Sequence, residues 1–232
     1  MKKYYYLIAS LPLLEKKSAP DQYGEVVQLI NRNLSESDRE LFQYLLYPTD
    51  IKYLMNQAAE ARNLTPVYPH VLQPATMDHE DLLNIKKGKT NSPAFLAEFF
   101  EENQKDIDEL DLIKIESLVI EKFYKYVFQQ NDPFLKDYFT FDRDLKNLLV
   151  SANAKNKSFK PFQHLTGEFN TDHSGGKQNL ENDIVRKYGF GEELTNMITD
   201  TSPVELEKKI DKIRWEYINE LAAQSYFDLH AL

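Results

Sequence analysis

The chain has 232 residues, 28% of them charged, a formal net charge of -9 and no cysteine. That balance argues against nucleic acid, whose phosphates demand a cationic footprint, while the missing thiols remove disulfides and thiolate metal sites and fit a reducing compartment, with the cytoplasm expected. Fourteen Phe and fourteen Tyr against seven Gly describe an aromatic-rich globular core. The length suffices for one continuous helical body over residues 1–232, the expected arrangement, with 1–105 and 106–232 as its halves if it divides.

Met1-Lys2-Lys3 followed by the apolar run Tyr4 to Leu14 has the outline of a signal peptide. Three tyrosines in a row, Pro12, and Glu15-Lys16-Lys17 without a small-x-small cleavage pattern argue instead for a buried structural segment. The run is also too short to span a bilayer as a helix, and no other stretch qualifies. Residues 23–33 read as a helix with Val26, Val27 and Ile30 inward. Ser37 and Glu40 form a capping box before Leu41, Phe42, Leu45 and Leu46. Pro48-Thr49-Asp50 is expected to break that helix and start another on Ile51, Leu54, Met55 and Ala58. Residues 63–73, with Pro66, Pro69 and then Pro74, read as a surface loop. A short helix over 77–87 is stopped by Gly88, and Ser92-Pro93 opens another carrying Phe95, Leu96, Phe99 and Phe100 on one side.

Residues 107–130 read as a long helix through Leu110, Ile113, Leu118, Phe123 and Val127. Asp132-Pro133 caps the next, which runs to about Ala152 with Leu135, Tyr138, Phe141 or Asp142, Leu145, Leu148 and Leu149 on a common face. Residues 153–177 have no apolar period and read as a loop. A helix over 180–188 ends at Gly189, and 192–198 form a further turn of helix. Ser202, Pro203 and Glu205 then open the last helix, whose face is Leu206, Ile210, Ile213, Tyr217, Leu221 and Leu232, widened by Ile218, Ala222 and Leu229. Nothing stops that pattern before Leu232, so the helix is expected to be cut short and the sequence to be a piece of a longer helical protein. With no period-2 strand anywhere, the class is all-α, a multi-helix bundle.

Candidate chemistry is sparse. His70, His79, His164, His173 and His230 are scattered and none has a partner at a metal-ligand spacing. A metal-dependent hydrolase using His164, Asp172 and His173 is the reading from a different class, with a solvated loop pair as the plainer account. Gly189-Phe190-Gly191 lacks the strand and third glycine of a dinucleotide loop, and Ser174-Gly175-Gly176-Lys177 lacks phosphate-loop spacing; both read as turns. There is no nucleophile elbow, and Asp142 with Asp144, or Glu101 with Glu102, point away from each other on a helix. No catalytic, cofactor-binding or metal-ligating residue is expected. What stands out is Tyr138 to Leu149, where charges are threaded through an apolar helix. Asp142 pairs with Lys146 one turn on, and Asn147 is held inside by hydrogen bonds. Phe141-Asp142 is echoed faintly by Phe227-Asp228, a hint of duplicated helical units.

Three segments carry a family resemblance: the opening around Tyr5, Leu11 and Pro12; the middle around Phe141, Asp142, Asp144, Leu145 and Asn147; and the end around Arg214, Trp215, Tyr217, Phe227 and Asp228. In these the chain resembles an uncharacterised bacterial family encoded among the subunits of V-type ATP synthases. That family is distantly similar to the funnel-shaped stalk component of V/A-type ATPases that carries the letter C, the counterpart of component d in eukaryotes. The resemblance implies a non-catalytic, funnel-like helical subunit without cofactors, seated on the membrane rotor ring and receiving the foot of the shaft. Its partners are then the shaft subunits and the ring, and it aids ion transport, of protons or sodium, coupled to ATP from the cytoplasmic side of the inner membrane. A regulatory or assembly adaptor of the same complex is the second role it implies. The chain is shorter than that funnel-shaped component and lacks three evident repeats, and the matching residues are expected to determine the fold and not to touch partners.

Overall fold

The computed structural model describes residues 4–11, 23–69, 76, 77, 80, 84, 93–103, 107, 109–157, 166 and 176–226. Among them there are helices and no strand, as the periodicities required: α1 (Tyr5–Ser10), α2 (Tyr23–Asn33), α3 (Glu36–Glu60), α4 (Ala94–Asn103), α5 (Leu112–Phe128), α6 (Pro133–Lys157), α7 (Gly176–Lys187), α8 (Gly191–Asp200) and α9 (Pro203–Tyr226). The chain divides into two compact units, Met1–Val119 and Ile120–Leu232. Pro12, Phe227, Asp228 and all five histidines lie outside the described residues, as do most of the helix expected over 77–87 and most of the loop expected over 153–177.

In the first unit the described part of the apolar opening, residues 4–11, is not a buried segment. Of α1 only Leu7 is buried, while Tyr5, Tyr6 and Ile8 stand in solvent. A helix of under two turns offers its neighbour about one side chain per turn, so it cannot hide the whole run. Tyr4 anchors it instead: its hydroxyl accepts from the Ser35 N–H at 2.9 Å and donates to the Asp38 carboxylate. Those contacts sit on the start of α3, where the cap is Ser35, accepting from the Asp38 N–H at 3.3 Å, and not Ser37.

From there α3 runs unbroken through Pro48. Proline removes one intrahelical hydrogen bond and crowds the preceding turn, yet Tyr44, Leu46 and Tyr47 before it and Ile51, Leu54 and Met55 after it are all buried. Burial on both sides outweighs the local cost. Asp50, expected at a break between two helices, is instead buried in mid-helix. The helix ends where Asn63 takes a left-handed φ of 55°, a conformation asparagine tolerates. Asn56 then fixes the following loop by pairing with both the N–H (2.8 Å) and C=O (2.7 Å) of Tyr68. Phe95, Leu96, Phe99 and Phe100 of α4 complete the core as expected, with Phe95 edge-on to Tyr47 at 5.5 Å. α5 starts at Leu112 and not at Ile107, because Asp111 caps it by accepting from the Lys114 N–H at 2.7 Å. Before it, the Arg62 guanidinium donates to the carbonyls of Ile107 and Leu110, at 2.8 and 2.5 Å.

The second unit is organised on α6. Asp132 caps it through the Leu135 N–H at 2.8 Å, as read, but the helix continues to Lys157. Phe141, Leu145 and Leu148 pack with Ile184 and Tyr188, Leu194 of α8 and Ile213 of α9. Phe139, absent from the expected face, is fully buried against Phe123, whose ring lies 5.1 Å away, edge-on. α7 begins at Gly176, so Gly176 and Lys177 are helix and not turn. The α7–α8 corner needs Gly191, since a Cβ there would sit 2.6 Å from the Val185 Cα. In α9, Ser202 and Glu205 make the expected cap. Its buried stripe, Ile213 and Leu221 flanked by Leu206, Ile210 and Tyr217, is narrower than read: Ala222 is exposed.

Candidate functional site

The charges threaded through α6 fall on its middle. Residues two apart on a helix diverge by about 200°, and Asp142 and Asp144, both buried, reach different neighbours. Asp142 Oδ2 accepts from the Tyr124 hydroxyl of α5 at 2.8 Å and pairs with Lys146 Nζ at 2.9 Å, while its Oδ1 faces Arg214 of α9 at 3.7 Å. Asp144 Oδ2 accepts from Lys187 Nζ at 2.7 Å and from the Tyr188 hydroxyl at 3.0 Å, and its Oδ1 from Arg143 at 3.1 Å. Between them Phe141 stacks on Tyr217 at 3.9 Å and meets Tyr188 edge-on at 5.6 Å. Three cations also lie over rings: Arg143 over Phe128, Lys146 over Tyr124 and Lys187 over Tyr188.

Burial pushes the Asp142 carboxyl upward, but the Lys146 ammonium, the Tyr124 hydroxyl and Arg214 together outweigh it and hold the group below its ordinary 3.8. Burial, then the adjoining Asp142, pushes the Tyr124 phenol well above its ordinary value, and burial with Asp144 does the same to Tyr188. Proton transfer works best from a group whose pKa lies near the operating pH. The Asp142 carboxyl and the Tyr124 and Tyr188 phenols are driven away from it in opposite directions. The arrangement fastens α5, α7 and α9 to α6 and is poorly suited to acid–base chemistry.

One turn further along α6, Asn147 is buried and grips the backbone of Thr166. Its Oδ1 accepts the Thr166 N–H at 2.9 Å and its Nδ2 donates to the Thr166 carbonyl at 3.0 Å. The first unit contains a counterpart. Its long helix α3 has 25 residues, as α6 does. Setting the two first residues together aligns Tyr44 with Phe141, Tyr47 with Asp144, Asp50 with Asn147, Ile51 with Leu148 and Met55 with Ala152, and every one of these is buried. Asp50 likewise holds a threonine, accepting from the Thr76 N–H at 2.7 Å and from its hydroxyl. The described residues thus show a parallel between α3 and α6, while the echo of Phe141-Asp142 at Phe227-Asp228 falls outside them.

Two of the three signature segments meet in one joint: Phe141 stacks on Tyr217 and Asp142 faces Arg214. Leu145 and Asn147 are buried beside them, and Trp215 is 48% exposed. Tyr5 and Leu11 belong to the first unit, where Tyr5 is exposed and Leu11 partly buried. Sequence reasoning missed Tyr124, Lys187, Tyr188 and Thr166, whose roles depend on contacts across the fold. Among the described residues no group of three or more His, Asp or Glu could hold a metal ion, and the His164, Asp172 and His173 set lies outside them. A hollow in the first unit, lined by Leu54, Ala58, Phe99, Phe100 and Ile115 beside Arg62, measures about 70 Å³. That is room for about two waters and far below the size of a ligand site.

Fold and site thus define an all-α protein whose second unit is built on one helix locked by ion pairs to two buried carboxylates. The chain belongs to the family described as protein of unknown function (DUF2764), which it matches over residues 1–232. No curated protein and no solved structure matches the chain.

Proposed function

We propose that this protein is a non-catalytic subunit of a V-type ATP synthase, coupling the membrane rotor ring to the central shaft and so serving ATP-linked proton or sodium transport. The observation that carries the reading is the three-segment resemblance, from Tyr5-Leu11 through Phe141-Asn147 to Arg214-Tyr217. The packing supports it: the residues of the middle and late segments make a single stacked and ion-paired joint. A torque-bearing part has to be stiff, and cross-ties from three helices to one central helix stiffen this unit. No described helix is long and apolar enough to cross a membrane, which agrees with attachment to the cytoplasmic side of the inner membrane through the complex.

Affinity capture of the tagged full-length protein from native membranes tests the proposal. It is expected to bring down the shaft subunits and the rotor ring; recovery of the protein with no ATPase subunit contradicts it. The other reading that the resemblance carries, a regulatory or assembly adaptor, is distinguished by copy number. A stalk subunit is present once per complex, whereas an adaptor is substoichiometric.

A further inference from the structure

We infer that α1 is a membrane-contact element, which seats an outward apolar face at the interface of an anionic lipid bilayer. Helix geometry makes the face continuous. Successive residues turn by about 100°, which sets Ile8, Tyr5, Ala9 and Tyr6 side by side on an arc of about 160°, with Leu7 on the far side of the helix. Leu7 is buried, whereas Tyr5, Tyr6 and Ile8 are 62%, 93% and 66% exposed and Ala9 is exposed as well. A surface helix ordinarily turns its apolar stripe to the core. This one turns most of it to solvent.

The exposure is held in place from both ends. Tyr4 accepts the Ser35 N–H at 2.9 Å and donates to the Asp38 carboxylate, which pins the start of the segment to the cap of α3. At the other end the Ser10 hydroxyl donates to the Leu7 carbonyl at 2.8 Å, and the Leu11 N–H reaches the carbonyls of Leu7 and Ile8. Contiguous apolar surface fixed in water in this way marks a contact site.

Size, residue type and local charge select the bilayer as its occupant. A helix of six residues is about 9 Å long, too small to supply the area of about 800 Å² that each partner of a stable protein pair buries. It is also far too short to cross a hydrocarbon core of about 30 Å, so the contact lies at the surface. Tyrosine belongs at that level, with its ring among the acyl chains and its hydroxyl wet, and Ile8 supplies a purely apolar neighbour. Residues 1–17 carry four lysines against one glutamate, a net charge of +3 within a chain of -9. At physiological ionic strength charges beyond about 8 Å are screened, so lysines next in sequence to the inserting face meet anionic headgroups while the acid excess of the rest of the chain is damped. This goes beyond the V-type reading and survives its failure, since the purified chain needs no ATPase subunit to meet a vesicle.

Flotation of the purified full-length protein with vesicles of phosphatidylcholine and phosphatidylglycerol tests the assignment. The wild type is expected to float with them, less so with phosphatidylcholine alone or as salt is added. Tyr6→Ser/Ile8→Ser is expected to lower partitioning about fivefold or more, with circular dichroism and Tm unchanged because neither side chain is in the core. A control stripping two other exposed apolar side chains, Ile113→Ser/Val204→Ser, is expected to stay within about twofold. The chain has a single tryptophan, so in a Trp215→Phe background the emission of Tyr6→Trp reports on α1 alone; vesicles are expected to shift it to the blue and brominated lipid to quench it. Wild type that stays with the soluble fraction, equal loss in the control pair or emission unmoved by vesicles would each overturn the assignment. So would a wild-type dimer that Tyr6→Ser/Ile8→Ser splits, which would give the face to a second copy of the chain, or a native mature protein that lacks residues 4–11.

Discussion

Asp142 ties the second unit together, and its ionisation is the most direct handle on that unit's stability. Its folded pKa lies below the ordinary 3.8, so the native state binds this proton less readily than the unfolded chain. The stabilisation is complete above the unfolded value and is lost as pH falls through the folded one. Chemical denaturation between neutral pH and pH values below 3.8 is expected to reveal an acid-labile second unit. In Asp142→Asn that acid limb is expected to shrink, at a cost of about 1–3 kcal/mol near neutrality for the lost charge-assisted bonds to Tyr124 and Lys146. An unchanged pH profile in the variant would show that Asp142 does not set it.

The element scale is where sequence and structure part company most. Local signals placed α2, α4 and the caps at Asp132 and Ser202 correctly, because a cap or an apolar stripe needs only its own few residues. The same signals misplaced the break at Pro48-Asp50. There, burial of Tyr47 and Ile51 and the bonds from Thr76, twenty-six residues on, override a local helix stop. Asp142–Lys146 and the burial of Asn147 were legible from spacing along one helix. Lys187, Tyr188 and Thr166 were not, because each meets α6 only after the chain has turned back on itself.

Two substitutions test these elements. Asn147→Ala strands the N–H and C=O of buried Thr166, at about 1–3 kcal/mol for each unpaired group, and is expected to lower Tm clearly. A change in unfolding free energy within about 0.5 kcal/mol would class Asn147 with ordinary surface positions. Gly191→Ala drives a methyl against the Val185 backbone, and overpacking of that kind costs about 1–3 kcal/mol. The loss is expected at the α7–α8 corner, as faster amide exchange there; unaltered exchange and Tm would mean that the corner yields freely.

Taken whole, the protein is a pair of helical units, each centred on a 25-residue helix whose fifteenth residue holds a threonine. The second carries an ionic joint on two buried carboxylates, built in part from the residues that support the V-type resemblance. Such a joint suits the proposed role of transmitting force between neighbours, under which the chemistry of the complex would reside in other subunits. The decisive measurement is mass spectrometry of the intact V-type ATP synthase, purified from native membranes by a tag on a catalytic subunit. One copy of this chain per complex, retained together with the rotor ring and shaft, is the predicted result; a fully assembled, active complex that lacks it would contradict the account.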